Sequence, residues 1–305
     1  MHNLIVILGP TASGKTKLAA ALASELKTEI ISADSRQLFK GMDIGTGKDL
    51  HQYNINQLSI PYHLIDIRNA GDSFNVSEFQ SEFWKAYELI NQKDKIPILC
   101  GGTGMYIDSI LKDYQYTSIP NDPNLQLEMS KKSESDLREH FHQYQTAYTA
   151  LADLSTRKRL ERAIQITQFL HDSPFEIKLN PVLSTLVFGL NLDLEKRRNN
   201  ITNRLKERLQ NGLIEEVKQL LDKGISPEKL IFYGLEYKFV TQHLIGQMSF
   251  DEMFGKLTIG IHHFAKRQMT YFRKMERDGV DIKWLDAEAD TVENIRIICA
   301  QLAIV

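Results

Sequence analysis

The chain has 305 residues, 25% of them charged and 42% hydrophobic, with a formal net charge of −2. This is the balance of an ordinary soluble globular protein, long enough for one large domain or two modest ones. The near-neutral charge excludes a globally basic nucleic-acid binder, so any attraction to a polyanion must come from local patches.

In chain order, residues 3–8 (NLIVIL) read as a buried strand and 14–26 as an alanine- and leucine-rich helix. TEIISAD (28–34) is a second short strand ending at an acid, and PYHLIDI (61–67) a weaker strand candidate. A helix over about 76–92 precedes KIPILCGGTG (95–104), a third strand breaking into glycines. Strands alternating with helices predict an α/β fold with a parallel sheet flanked by helices, and the GPTASGKT loop after the first strand makes that sheet P-loop NTPase-like. In such sheets ligands gather at the carboxyl ends of the strands, where the loops 9–16, 34–48 and 101–104 begin.

TSIPNDPN (117–124) is turn-rich, 125–170 is polar and helical, and HDSPFEIKLNP (171–181) is a second break. VLSTLVFGLNL (182–192) then returns as a buried strand. The expected organisation is a core of residues 1–114 and 182–305 carrying a helical insertion over 115–181. Residues 194–277 are helical, with stops at NG (211–212) and KGISP (223–227), and IKWLD (282–286) fits an edge strand. No stretch reaches the roughly 18 apolar residues of a membrane span, and the N-terminal run is too short for a signal-peptide core. The two cysteines, Cys100 and Cys299, lack metal-ligand spacing and suggest no disulfide framework. A cytoplasmic protein is expected, with Cys100 a core thiol.

Gly9, Pro10, Thr11, Ala12, Ser13, Gly14, Lys15 and Thr16 spell GxxxxGKT between a strand and a helix. The backbone amides of such a loop cradle phosphate oxygens, the lysine reaches the outer ones, and the Thr16 hydroxyl can ligate Mg²⁺. The loop reads phosphates and not a base, so the pattern alone does not select ATP. Asp34, ending the second strand, suits either a metal-positioning acid or a general base facing the loop.

The block ADSRQLFKGMDIGTGK (33–48) is longer than a metal-positioning aspartate requires. Together with GPTASGKT, PYHLIDI and GGTGMYI (101–107) it closely resembles the tRNA dimethylallyltransferases, or tRNA isopentenyltransferases. RKRLERAIQI (157–166), NRLKERLQNGLIEEVKQLL (203–221) and FAKRQMTYFRK (264–274) extend the resemblance over nearly the whole chain. The family transfers a five-carbon prenyl group from dimethylallyl diphosphate to the adenosine beside the tRNA anticodon, on its 3′ side. The resemblance implies a diphosphate donor on the 9–16 loop, catalytic roles for Asp34 (general base), Lys15 and Thr103, contact of Asp34, Ser35, Arg36 and Gln37 with the target nucleotide, and contact of Thr103 with the diphosphate or the tRNA acceptor region. It further implies tRNA contacts from Lys158, Arg159, Leu160, Glu161 and Arg162, and from Lys266, Arg267, Gln268 and Arg273. The expected partners are the tRNA anticodon stem-loop and dimethylallyl diphosphate, with Mg²⁺ as cofactor and a monomer sufficient.

The sequence departs from the family pattern at several points. Phe39 stands for a usual tyrosine, Glu236-Tyr237 replaces a Gly-Tyr pair, Gln126 occupies the place of a common arginine, and residues 171–175 lack a usual glycine. By itself the RKRLER run is a solvated helix face. Lys266, Thr270, Arg273 and Arg277 share one helical face, whereas Met269 and Phe272 are expected in the core. Lys196, Arg197 and Arg198 read as solvent-facing charge. His262 and His263 lack a metal-ligand partner, and Asp43 and Lys48 suit loop ordering. The competing readings are a P-loop kinase acting on a small metabolite or nucleotide, with Asp34 positioning metal, and an RNA-binding regulator without prenyl chemistry.

Overall fold

The computed structural model describes residues 2–303. Six strands form its main sheet: β1 (Leu4–Leu8), β2 (Ile30–Ser32), β3 (Tyr62–His63), β4 (Ile98–Gly101), β5 (Thr185–Asn191) and β6 (Ile282–Asp286). Every pairing is parallel, in the spatial order β6-β5-β1-β4-β2-β3. The weak candidate at 61–67 shortens to the two-residue edge strand β3, and IKWLD forms the opposite edge. Because β1, β4 and β2 are neighbours, the three glycine- and acid-bearing loops leave adjacent strands at one end of the sheet.

Parallel strands need crossovers, and helices supply them. Helix α1 (Lys15–Glu25) follows β1, α2 (Val76–Asn91) precedes β4, and α3 (Gly104–Leu111) follows it. Next come α4 (Pro123–Ser130), α5 (Glu134–His142) and α6 (Arg157–Asp172). After β5 run α7 (Leu194–Gln210), α8 (Leu213–Asp222), α9 (Pro227–Phe232), α10 (Leu235–Leu244) and α11 (Phe250–Arg277), and α12 (Thr291–Ala303) follows β6.

The strands alternate between two cores. Val6, Leu8, Leu99 and Val187 pack with Phe79 and Phe83 of α2, Ile107 of α3 and Phe272 of α11. Ile5, Ile7, Ile98 and Phe188 pack with Leu18 and Leu22 of α1 and Ile298 of α12. Burial on both faces explains why the strands read as unbroken apolar runs. The longest helix, α11, opens with a capping box formed by Ser249 and Glu252, each side chain accepting from the other's backbone amide. Its buried stripe of Met253, Leu257, Ile261, Ala265, Met269, Phe272 and Met275 has the spacing of a one-sided amphipathic helix.

The chain forms two compact units, the sheet with its helices and, separately, Asp113–Pro181. The second unit has its own core of Leu125, Met129, Leu137, Phe141, Leu160, Ala163 and Ile164.

Candidate active site

The phosphate loop takes its shape from two left-handed residues, Ala12 (φ +61°) and Gly14 (φ +83°), the latter capping α1. Such turns point successive amides inward, forming a nest for an anion. Gly9 has no room for a side chain: a Cβ there would lie 2.7 Å from Ser13 Oγ. Lys15 Nζ donates to the Pro10 carbonyl at 3.4 Å. Burial lowers the Lys15 pKa, and the negative charge of Asp34 pulls it back up. Cys100 donates to the Lys15 carbonyl at 3.7 Å, and burial pushes its thiol up to about 12, fitting an inert core residue.

The loop after β2 is laced to the loop after β4. The Ala33 carbonyl accepts from Thr103 N–H at 3.1 Å, and Ser35 N–H donates to Thr103 Oγ1 at 3.0 Å. The Thr103 hydroxyl in turn donates to Ser35 Oγ at 3.2 Å. Asp34 Oδ1 accepts from Arg36 N–H at 3.0 Å, which orients the carboxylate. Gln37 is buried, its amide held by Ser32 Oγ at 3.0 Å and the Gly47 carbonyl at 3.1 Å.

Thr11, Ala12, Gly14, Lys15 and Thr16 share one cleft of about 760 Å³ with Asp34, Arg36 and Gln37. The opposite wall is built by Arg204 and Arg208 of α7, Glu236 of α10, and Phe264 and Gln268 of α11. Of these the sequence reading singled out Gln268 alone as a site residue, an RNA contact, and missed the other four. Arg204 pairs with Asp49, and Arg208 donates to Glu236 Oε1 at 3.5 Å. Burial lowers the Arg208 pKa, and the neighbouring Arg204 charge adds to that. The four-residue spacing of the two arginines in NRLKERL was the available signal, since it places them on one helix face.

Gln268 braces two loops at once. Its Oε1 accepts from Thr11 N–H at 2.8 Å, and its Nε2 donates to the Gly102 carbonyl at 2.9 Å. A Cβ on Gly102 would sit 2.4 Å from that nitrogen, so a side chain there would push the Gln268 amide out of this brace. The 43–48 segment is ordered in a similar way. The buried Lys48 ammonium donates to the Phe39 carbonyl at 2.8 Å and pairs with Asp43 and Asp66. Glu216 accepts from the amides of Asp43 (2.8 Å), Ile44 (2.7 Å) and Gly45 (3.0 Å), and from the Tyr237 hydroxyl at 2.7 Å. Phe39, lacking a hydroxyl, packs edge-on to Tyr233 at 4.6 Å.

On α11, Lys266, Arg267, Thr270, Arg273 and Arg277 are exposed, while Met269 and Phe272 are buried and Gln268 faces the cleft. Within the separate unit, Lys158 and Arg159 are exposed and Leu160 is fully buried in the core. Arg159 pairs with Asp153 at 2.8 Å, and Glu161 pairs with Arg157 at 2.8 Å. Arg162 donates to the Ile119 carbonyl at 2.6 Å and to Asn121 Oδ1 at 2.9 Å.

Residues 37–275 match the family model described as IPP transferase, and residues 2–65 match that described as isopentenyl transferase. The chain is 51% identical over 301 residues to tRNA dimethylallyltransferase 2 of Bacteroides fragilis, covering 99% of this chain and 98% of that protein. It is 49% identical over 295 residues to tRNA dimethylallyltransferase 1 of Parabacteroides distasonis, covering 96% and 95%. Among solved structures, the full-length tRNA isopentenylpyrophosphate transferase of Bacillus halodurans is similar with a TM-score of 0.71 at 29% identity, covering 99% of this chain and 96% of that one. A eukaryotic dimethylallyltransferase acting on tRNA shares the fold, with a TM-score of 0.75 at 21% identity, covering 100% of this chain and 78% of that one. The continuous match through both loops and the α7 to α11 wall makes this chain a member of the tRNA dimethylallyltransferase family.

Proposed function

We propose that the protein transfers a dimethylallyl group from dimethylallyl diphosphate to the exocyclic N6 of the adenosine on the 3′ side of a tRNA anticodon, releasing diphosphate. The observation that carries this reading is one cleft lined by the phosphate loop and by the Asp34 carboxylate, in a chain of this family. Family membership does not favour the small-metabolite kinase.

The chemistry follows from those two walls. The loop amides and Lys15 hold the diphosphate, with Arg204 and Arg208 adding positive charge across the cleft. The adenine amine attacks the allylic carbon: a C–N bond forms, the C–O bond to diphosphate breaks, and its electron pair leaves with the oxygen. Asp34 accepts the proton the amine loses, as a general base. Charge growing on the leaving group is met by donors already aimed at it. The oxygen donors Thr16, Asp34 and Asp49 line the same cleft, a set suited to Mg²⁺ bound through substrate phosphates. When bound, the ion neutralises charge on the departing diphosphate. Thr103 fixes Ser35 beside Asp34, and Gln37 orders the loop that carries them.

A base stacked inside the folded stem-loop is out of reach, so the nucleotide enters the cleft flipped out. The exposed cations Lys158, Arg159, Lys266, Arg267 and Arg273 supply phosphate contacts along the anticodon stem. Among the described residues no helix is long and apolar enough to cross a membrane. The proposed reaction, on one tRNA per chain, needs only a monomer working where tRNA is, in the cytoplasm. Incubation with unmodified tRNA and dimethylallyl diphosphate, followed by mass analysis of the nucleosides, tests the reading. The expected product is a dimethylallyl-adenosine, and tRNA binding without any mass increase overturns it.

A further inference from the structure

A cleft built for a diphosphate and an RNA backbone gains from positive charge, yet its wall contains a carboxylate. Glu236 is only 4% exposed and lines the cleft between two arginines. Its Oε2 accepts from Arg36 Nη1 at 3.0 Å, and its Oε1 from Arg208 Nη1 at 3.5 Å. The Arg36 guanidinium also lies over the Phe264 ring, 4.4 Å from its centroid. Beneath it, Gly234 has φ +142°, a conformation that favours glycine, and a Cβ there would lie 3.0 Å from Arg36 Cζ, close enough to press on the guanidinium. Arg36 is thus seated on three sides, and its backbone N–H donates to Asp34 Oδ1 at 3.0 Å. The family pattern read from the sequence carries glycine at the apparent place of Glu236, and a glycine has no carboxylate to form this seat.

We propose that Glu236 is a positioning residue that seats Arg36, and through its backbone the Asp34 carboxylate, while tempering the hold of the cleft on anions so that diphosphate leaves. The inference rests on the prenyl-transfer reading. A fixed Arg36 holds the Asp34–Ser35–Arg36 turn in the register that Thr103 sets from the other side. The carboxylate offsets part of the positive charge of Arg36 and Arg208, charge that would otherwise retain the product.

The test compares wild type, E236Q and E236D in three measurements: kcat with saturating tRNA and donor, calorimetric affinity for inorganic pyrophosphate, and melting temperature. Removing the charge in E236Q is expected to tighten pyrophosphate by about fivefold, the scale of one opposed charge near a partly solvated anion. Its kcat is expected to fall about 10–100-fold, the effect of a base misplaced by a fraction of an ångström to an ångström. E236D keeps the charge and shortens the reach, so pyrophosphate affinity stays at the wild-type value while kcat falls. Wild-type kcat in either variant overturns the proposal. So does pyrophosphate affinity that drops in step with melting temperature in both, which makes Glu236 a fold residue only. Should E236Q fail to fold, E236D decides on the same two readouts. Pyrophosphate binding needs no prenyl transfer, and wild-type turnover is measured alongside, so failure of the broader reading shows itself separately.

Discussion

The cleft and the basic run on α6 both carry three arginines whose guanidinium groups are spoken for within the protein, and they use them differently. In the cleft, Arg36, Arg204 and Arg208 are matched with the carboxylates Glu236 and Asp49 while still lining a cavity shared with Lys15. On α6, Arg157 and Arg162 are spent on main-chain carbonyls of their own unit: Met129 and Lys132 for the first, Ile119 for the second. A guanidinium has several donors in a fixed fork, so it serves equally as an anion clamp or as a cap for orphan carbonyls. What separates the two uses is the neighbourhood of the phosphate loop. Counting cations along the sequence therefore overstates the number of phosphates a segment can meet.

The proposed chemistry of the cleft turns on one carboxylate. Asp34→Asn keeps the shape and removes the proposed proton acceptor, so turnover is expected to fall roughly 10²–10⁴-fold. Diphosphate binding is expected to persist, because Lys15 and the loop amides are unchanged. Donor titrations with and without Mg²⁺ check this; loss of Mg²⁺-dependent donor binding in step with the rate would make Asp34 a metal-positioning acid instead.

Next in size is Lys15. Lys15→Met removes one charge-assisted bond to the diphosphate and is expected to weaken pyrophosphate binding by about 10–100-fold. Burial sets a pH dependence as well. The Lys15 pKa lies below its ordinary 10.5, so the free ammonium loses its proton at lower pH than an exposed lysine. Affinity for pyrophosphate is therefore expected to fall as pH rises into the alkaline range, beginning below 10.5. The same titration on Lys15→Met is expected to lack that step.

On the other side of the comparison, Arg162→Ala is expected to cost about 1–3 kcal/mol of local stability, since it leaves carbonyls of the 119–121 turn without donors. Hydrogen exchange within 113–181 reads this directly, and an unprotected turn with unchanged pyrophosphate affinity is the expected result.

The sequence made the strands, the phosphate loop and the 33–48 block legible because each is encoded locally: apolar runs, a glycine frame, an acid at a strand end. Asp34, Lys15 and Thr16 follow from that frame, and neighbouring strands β1, β4 and β2 bring their loops together. The opposite wall was not legible in this way. Glu236 meets Arg36 across 200 residues, and Gln268 meets Thr11 across 257. No local pattern announces such a partner; only the packing of α10 and α11 beside the sheet end creates it. Gln268 shows the difference most plainly. It sits inside a basic run that suggests RNA contact, yet its position on the helix turns it inward, where both ends of its amide are occupied. Leu160 is likewise enclosed by charges in sequence and by apolar side chains in space.

The smallest effect separates two exposed arginines that look alike in sequence. Arg267 on α11 is exposed, whereas Arg159 on α6 donates to Asp153 at 2.8 Å and to Ser155 Oγ at 2.8 Å. Neutralising a cation that holds one phosphate lowers the slope of log affinity against log salt by about 1 and weakens binding to all sequences alike. Arg267→Gln is expected to show that full change. Arg159→Gln is expected to show less, because Asp153 already offsets part of its charge and must be released before a phosphate replaces it. Filter binding of unmodified tRNA over a salt series measures both slopes. Equal slope changes would mean that the Asp153 pair opens freely on RNA contact, and that α6 contributes as much to the interface as α11.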